Sequence, residues 1–263
     1  MVRYNYRFAP LQQSLAAETL LDIVQALVKD LELKNISLLG HSSGAIYVLN
    51  TILHLRHLLH PKRPYAAIFT PWVHPSRSKV VTPTIGRFLP SWAIRRWYDF
   101  SYFTTRHYRA ILGPSTARPG VKMVQNDGET RAVDERIMEY ALLENVEGVS
   151  QEALFCVKRG SDNMWGWRDY DVVIPMLKER EVREGGGRGE RLTLDVFFAE
   201  SDHSSGKKGA EWFDKCWKTS LEDGGWVDYH SRTMPGTNHE TIMRVGFGAI
   251  EAVFETIAVV MRS

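Results

Sequence analysis

The stretch Leu-Leu-Gly-His-Ser-Ser-Gly, residues 38–44, indicates how this chain folds. The apolar run from Ile36 to Leu39 has the length and composition of a buried strand. After the stretch, apolar residues recur at helical spacing and predict an amphipathic helix: Ala45, Val48, Leu49, Ile52 and Leu53. A glycine-x-serine-x-glycine pattern between a strand and a helix is typical of a sharp turn that exposes its serine, here Ser42, as a nucleophile.

The glycines on either side of Ser42 suit such a turn. Gly40 and Gly44 allow the backbone to pass closely and allow Ser42 to adopt a strained conformation. We expect the Ser42 hydroxyl at the carboxyl end of the strand, above the amino end of the helix, where free N–H groups favour a developing negative charge. The alternative is an ordinary strand-to-helix turn in another α/β protein. An acid and a histidine further along the chain decide between the two.

Composition limits the classes of protein to which the chain can belong. It has 263 residues, 44% hydrophobic and 24% charged, with a formal net charge of +2, which indicates one α/β domain and no basic surface for nucleic acid. Cys156 and Cys216 are expected to be reduced thiols. The amino terminus lacks a signal-peptide core and no apolar run is long enough to span a membrane, so we expect a cytoplasmic protein.

No metal or other cofactor is predicted. The nine histidines are scattered. The closest group, His54, His57 and His60, has a spacing of i, i+3 and i+6, which is wider than one good ligand face of a helix.

Strands and helices alternate in the first part of the chain. Strands are predicted over Val2–Phe8, Ile36–Leu39 and Tyr65–Phe69, and helices over residues 14–31 and 45–59. This alternation predicts a parallel sheet with right-handed crossovers.

The alternation stops over residues 75–183, where the pattern is helical and rich in aromatic residues. We interpret this segment as a helical lid over the active face, with most aromatics packing the lid onto the core and a minority lining a substrate pocket. The predicted organisation is a first core part over 1–74, the lid over 75–183 and a second core part over 184–263. The last part begins with a glycine-rich linker, residues 184–190.

Two further strands are predicted, over Leu192–Phe198 and Trp226–Thr233, and the chain between them reads as a helix with Ala210, Phe213 and Trp217 on one face. A final helix is predicted over residues 248–261, with these residues facing inward: Ile250, Val253, Phe254 and Ile257. Asp202 follows the first of these strands and His239 follows the second. Serine needs an imidazole to accept its proton, and a carboxylate must hold that imidazole in the correct tautomer. Because ligands bind at the carboxyl ends of parallel strands, Ser42, Asp202 and His239 are expected to converge there.

The chain resembles the α/β-hydrolase superfamily, in particular its lidded serine hydrolases of the lipase and esterase type. The resemblance covers nearly the whole chain, through the Gly40–Gly44 turn, the inserted lid and the order serine, acid, histidine. It implies that Ser42 is the nucleophile, Asp202 the acid and His239 the base, and that the Ser43 backbone N–H is one oxyanion donor. It also implies a small-molecule ester or other acyl substrate. A serine at this position argues against the epoxide-hydrolase and haloalkane-dehalogenase branches, whose nucleophile is aspartate.

Each assignment has rivals among nearby residues. Asp195 lies inside its strand and Glu200 lies close to the end of that strand, so Asp202 is favoured as the acid. His203 is interpreted as a solvated loop residue and His230 as a strand residue. His41 either packs within the turn or helps to shape the pocket.

The chain departs from the family in one respect. Family members carry further strands, and a loop that supplies the second oxyanion N–H, before the segment that resembles Arg3–Phe8. Their absence here suggests a shortened product, a misplaced start or a repacked fold, and we expect weak activity and lower stability than in an upstream-extended form. Two hypotheses follow: a serine hydrolase of acyl bonds, or a hydrolase-like binding protein or remnant without turnover. The substrate and the oligomeric state stay open.

Overall fold

A computed structural model of the chain describes residues 16–80, 136, 147–158, 162–183, 191–222 and 224–261. Within them lie four strands: β1 Leu38–His41, β2 Tyr65–Phe69, β3 Thr193–Ser201 and β4 Asp228–Asn238. They form one sheet in the order β1-β2-β3-β4, and every neighbouring pair is parallel. The predicted parallel α/β architecture is thereby confirmed. The strand predicted over Val2–Phe8 lies outside the described residues.

Helices cover both faces of this sheet, as the burial of a parallel sheet requires. Those of the described chain are α1 Ala16–Asp30, α2 Gly44–Leu55, α3 Pro75–Ser78, α4 Glu147–Cys156, α5 Tyr170–Arg183, α6 Gly206–Ser220 and α7 Ala249–Met261. A short 3-10 turn, Arg56–Leu58, follows α2. Helix α2 connects β1 to β2, and α6 connects β3 to β4, so both connections have the predicted strand–helix–strand form.

The two faces of β2 pack in two separate cores. Ala66 and Ile68 belong to the core that contains α2, α5 and α6, whereas Tyr65, Ala67 and Phe69 belong to the core that contains α7. This division follows the alternation of side chains along a strand. Because all five residues are buried, β2 is a central strand with helices on both sides.

The core on the α2, α5 and α6 side contains a layer of large rings, which we call the aromatic layer: Trp165, Trp167, Tyr170, Phe213 and Trp217. All five are at most 3% exposed. Trp165 and Trp167 meet edge-to-face with centroids 5.3 Å apart, and so do Tyr170 and Phe213 at 4.7 Å. Rings of this size remove much apolar surface from water, so the layer supplies a large part of the hydrophobic stabilisation.

Helix α5 lies within the segment predicted as a lid, and it packs in this helical layer. Its buried residues Val173, Ile174 and Leu177 share the core with α2 and α6. Residues 81–135, 137–146 and 159–161 of the segment lie outside the described part, as does the linker at 184–190. The lid and the domain boundaries at 74 and 183 therefore stay predictions.

The prediction that Phe254 faces inward from the last helix is wrong. Val253 is fully buried in α7, but Phe254 is 61% exposed. Successive helical residues are about 100° apart, so Phe254 lies on the flank of the stripe that contacts the sheet.

None of the helices that the structure describes has the length and apolar character needed to cross a bilayer. Cys156 and Cys216 are both free thiols. The cytoplasmic location stays a prediction.

Candidate active site

Ser42 lies in a sharp turn between β1 and α2. Its φ is +56°, in the left-handed region that residues with a side chain seldom adopt. Two backbone hydrogen bonds hold it: the Ser42 N–H donates to the Phe69 carbonyl at 3.0 Å, and the Trp72 N–H donates to the Ser42 carbonyl at 2.9 Å. The chain leaving β2 thus supports the strained turn on both sides of the serine.

The two glycines of the turn differ in their surroundings. A Cβ at Gly40 would lie 2.7 Å from the backbone of Gly44 and 2.7 Å from a methyl group of Val48. A Cβ at Gly44 would have no described atom within 4 Å. Close packing therefore requires glycine at position 40, where the strand passes beneath the helix, and no described neighbour requires it at position 44.

The acid and the histidine follow directly after paired strand residues. β4 extends to Asn238, five residues beyond the predicted end at Thr233. An irregularity in the β3–β4 register lets it do so: Ala199 pairs with Met234, but Ser201 pairs with Asn238. Bulges of this kind redirect a strand near its end. The result is that Asp202 and His239 leave the sheet side by side.

Ser42, His239 and Asp202 form a chain of hydrogen bonds. The Ser42 Oγ lies 3.0 Å from His239 Nε2, and His239 Nδ1 lies 3.1 Å from Asp202 Oδ1. Asp202 Oδ1 also accepts the backbone N–H groups of Ser204 at 2.7 Å and Ser205 at 3.1 Å. His239 is 9% exposed, so the chain of contacts is largely shielded from water.

The electrostatics of Asp202 fix the tautomer of His239. Burial raises the pKa of Asp202, but the hydrogen bond and charge of His239 and the two backbone N–H groups outweigh it, so the net pKa is lowered. The carboxylate is therefore ionised at neutral pH and can only accept hydrogen bonds. His239 Nδ1 must therefore carry a proton, and in the neutral imidazole Nε2 is then the nitrogen that accepts the Ser42 hydroxyl.

The alternative candidates for the acid and for the histidine make contacts with other residues or face solvent. Asp195 accepts the Tyr65 hydroxyl at 2.8 Å, and Glu200 accepts the Gly236 N–H at 2.9 Å. His203 is exposed, and the His230 side chain is 55% exposed with its ring 3.5 Å from Asp228. The structure thus brings Asp202, and neither Asp195 nor Glu200, to His239.

Two residues near Ser42 have features that the sequence did not reveal. His41 Nε2 lies 2.8 Å from the His239 carbonyl oxygen. Thr70, directly after β2, is 1% exposed with φ +40°, and its hydroxyl has no hydrogen-bond partner among the described residues. The position of His41 beside Ser42 was the available signal for the first. No sequence pattern distinguishes Thr70.

Ser43 is the N-cap of α2, as the oxyanion prediction requires. Within the described part of the chain its backbone N–H has no acceptor. A free N–H at the amino end of a helix is suited to stabilise an anion.

Helix α4 contacts α2, the helix that follows Ser43. The Tyr47 hydroxyl donates to Glu152 at 2.7 Å, and the Tyr47 ring stacks on Phe155 with centroids 5.4 Å apart. The indole N–H of Trp72 donates to the Cys156 carbonyl at 3.0 Å. The end of α4 is therefore fixed beside the turn that carries Ser42.

No metal site is evident in the described residues. They contain no group of three or more histidine, cysteine or acidic side chains placed to hold a metal ion. His60 Nδ1 instead accepts backbone N–H groups of its own turn. Two depressions of about 420 and 440 Å³ lie away from Ser42. One is beside Pro64 and Arg191, and the other is between α2 and α5.

Sequence comparison finds no relative: no protein-family model matches the chain, and no curated protein matches it. Solved structures do match. A structure described with carboxylesterases of the thaumarchaeon Nitrososphaera gargenis has a TM-score of 0.50 at 11% identity, over 94% of this chain and 73% of that one. A hydrolase from Pseudomonas aeruginosa PA01 has a TM-score of 0.50 at 13% identity, over 92% and 71%.

An epoxide hydrolase variant from Bacillus megaterium has a TM-score of 0.53 at 8% identity, over 92% of this chain and 76% of that one. Likeness at such low identity concerns the fold alone. The chain has the α/β-hydrolase fold.

Proposed function

We propose that this chain is a serine hydrolase that cleaves an ester, a thioester or a related acyl bond through Ser42, His239 and Asp202. The observation that carries the proposal is the continuous hydrogen-bond chain from Ser42 Oγ through both ring nitrogens of His239 to Asp202, at 3.0 and 3.1 Å. The carboxylesterase among the matching structures is consistent with it.

The first half-reaction acylates Ser42. As Oγ bonds to the substrate carbonyl carbon, its proton passes to His239 Nε2 and the carbonyl π electrons move to the oxygen. Asp202 stabilises the imidazolium that forms, because its carboxylate accepts the Nδ1 proton in a hydrogen bond. The tetrahedral intermediate then expels the alcohol or thiol, which takes the proton from Nε2.

The second half-reaction releases the acid. Water gives a proton to Nε2 and attacks the acyl carbon; the bond to Ser42 Oγ then breaks and the serine regains its proton. In both halves the oxyanion is stabilised by the Ser43 N–H at the start of α2, which is positioned before the charge develops. No step requires a metal or an organic cofactor.

A serine rather than an aspartate at position 42 favours acyl transfer over epoxide opening, although an epoxide hydrolase is among the matching structures. Serine acylation gives an ester that water can hydrolyse with the same histidine. The substrate class is therefore a small acyl compound.

Labelling with a fluorophosphonate probe tests the proposal. The folded protein should be labelled at Ser42, and peptide mass spectrometry should locate the adduct there. Ser42→Ala should lose labelling and p-nitrophenyl ester hydrolysis together, by about 10⁴-fold or more in kcat.

Two histidines from the β4 region provide matched variants. His239→Ala should lose labelling, while His230→Ala, at an exposed strand position, should keep it. If the folded wild-type protein is neither labelled nor active on esters, the serine-hydrolase proposal is wrong and the non-catalytic, ligand-binding alternative replaces it.

A further inference from the structure

His41 connects the residue proposed as the base to the strand that carries the nucleophile. It is the last residue of β1, directly before Ser42, and its Nε2 lies 2.8 Å from the His239 carbonyl oxygen. The two rings lie 4.9 Å apart between centroids at an interplanar angle of 50°. His239 is thus contacted at three points: by Asp202 at Nδ1, by Ser42 at Nε2 and by His41 at its backbone.

The direction of this hydrogen bond follows from its acceptor. A carbonyl oxygen only accepts, so His41 Nε2 must carry the proton. Burial lowers the pKa of His41; the bond to the His239 carbonyl opposes this, the charge of His239 adds to it, and the carboxylates of Glu240 and Asp202 oppose it. A neutral His41 ring with its proton on Nε2 satisfies the contact without burying a charge.

Sheet order explains why such a contact matters. β1 and β4 stand at opposite ends of the four strands, three strand spacings or about 14 Å apart. The segment that starts with His239, directly after β4, must therefore place the His239 ring across the ends of the two intervening strands for that ring to contact Ser42. Its local bonds, from the N–H groups of Thr241 and Ile242 to the Asn238 carbonyl, shape the segment but do not attach it to β1.

We propose that His41 is a positioning residue: its Nε2–H holds the His239 backbone against β1, and so sets the distance between the His239 ring and Ser42. The proposal deepens the hydrolase function proposed above and rests on it. Holding a base within hydrogen-bond reach of its nucleophile affects the chemical step more than substrate binding.

Two substitutions at His41 separate the effect of its N–H donor from the effect of its ring volume. His41→Phe fills the space without a donor, whereas His41→Gln can present an amide N–H near the original Nε2. With p-nitrophenyl butyrate, His41→Phe should lower kcat about tenfold with KM within about twofold, as expected for one lost buried hydrogen bond. His41→Gln should recover most of the kcat.

Hydrogen–deuterium exchange provides a readout that does not depend on catalysis. The amides of Thr241, Ile242 and Arg244 should exchange about tenfold faster in His41→Phe than in wild type, and at the wild-type rate in His41→Gln. Amides of β2 serve as the internal reference, because a general loss of stability would accelerate them too.

The inference is overturned if His41→Phe keeps wild-type kcat and exchange, or if His41→Gln is as impaired as His41→Phe. If His41→Phe does not fold, the exchange and kcat of His41→Gln decide alone: values near wild type support the donor role and a tenfold change in both rejects it. An inactive wild-type protein with the expected exchange pattern would reject the hydrolase function and leave the His41 contact intact.

Discussion

The carboxyl edge of the sheet and the aromatic layer differ in backbone strain and in the kind of side chain that they bury. At the edge, Ser42 and Thr70 have positive φ angles, and polar groups are buried close together. In the layer, rings such as Trp165 and Trp217 are fully buried in contacts with other rings. One region concentrates strain and polar groups, and the other concentrates apolar burial.

This difference suggests a division of roles. Strained backbone and buried polar groups persist only where the surrounding structure over-determines them. The aromatic layer, packed between α2, α5 and α6, is part of that surrounding structure and stabilises it by burying apolar rings. Substitutions at the edge should therefore change chemistry at nearly constant stability, and substitutions in the layer should do the reverse.

The largest expected effect tests the edge. Asp202→Asn should lower kcat by about 10⁴-fold, because a neutral amide cannot stabilise the imidazolium that forms on His239. The amide oxygen of the substituted side chain can still accept the Ser204 and Ser205 N–H groups, so the urea midpoint at neutral pH should change little. Ester hydrolysis and urea denaturation measure the two quantities.

Asp195→Asn is the control for that experiment, since Asp195 is a buried carboxylate on β3, the strand that Asp202 follows. It accepts the Tyr65 hydroxyl, and Arg232 lies 3.8 Å away. The substitution should leave kcat within about threefold while lowering stability by roughly 1 kcal/mol. A collapse of kcat in Asp195→Asn would remove the distinction between edge and core.

A smaller effect is expected from two tryptophans of the layer. The Trp165 indole N–H donates to the Phe155 carbonyl at 2.9 Å, whereas that of Trp217 is buried without a partner in the described residues. Both Phe substitutions lose ring volume, but only Trp165→Phe loses a hydrogen bond. We expect Trp165→Phe to cost about 2 kcal/mol and Trp217→Phe about 1 kcal/mol less, by urea denaturation. Equal costs would mean that the Trp165 hydrogen bond contributes nothing net.

The smallest effect on stability is expected at Thr70, which has a positive φ at the carboxyl edge. Thr70→Val removes a buried hydroxyl without a partner in the described residues and keeps the side-chain shape, so stability should stay constant or rise by up to about 1 kcal/mol. Thr51→Val, in α2, breaks a bond from its hydroxyl to the Tyr47 carbonyl at 2.8 Å and should lower stability by about 1 kcal/mol. If Thr70→Val is the more damaging of the two, the Thr70 hydroxyl has a partner in solution.

Much of the fold could be predicted from sequence because its signals are local. The run before Ser42 and the helical spacing after it predicted a strand and a helix, and the strand over Tyr65–Phe69 has the predicted ends. β1 is displaced by two residues from the predicted Ile36–Leu39 to Leu38–His41, because Ile36 makes only an isolated bridge to Leu59.

The end of β4 could not be predicted in the same way. Pro235 and Gly236 indicate a turn, yet the strand continues through them to Asn238. In the described sheet β4 has a free edge, where the missing N–H of proline need not face a neighbouring strand. Only the pairing with β3, including its bulge, determines this continuation.

The candidate site was predictable in its members and not in its supports. Ser42, Asp202 and His239 each follow a strand, so their order and position in the sequence indicate them as candidates. The bond from His41 joins a side chain to a backbone carbonyl 198 residues away, and the conformation of Thr70 depends on the packing around the end of β2. Neither leaves a periodic pattern in the sequence.

The unequal glycines of the turn have a consequence for how relatives of this chain can be recognised. Substitution at position 40 would place a methyl group 2.7 Å from backbone atoms, while position 44 faces open space in the described structure. Over evolutionary time the first glycine should stay invariant, and the second should drift to alanine or serine wherever neighbouring groups leave room. A search that demands both glycines would overlook such relatives, and one that relaxes the second position would recover them.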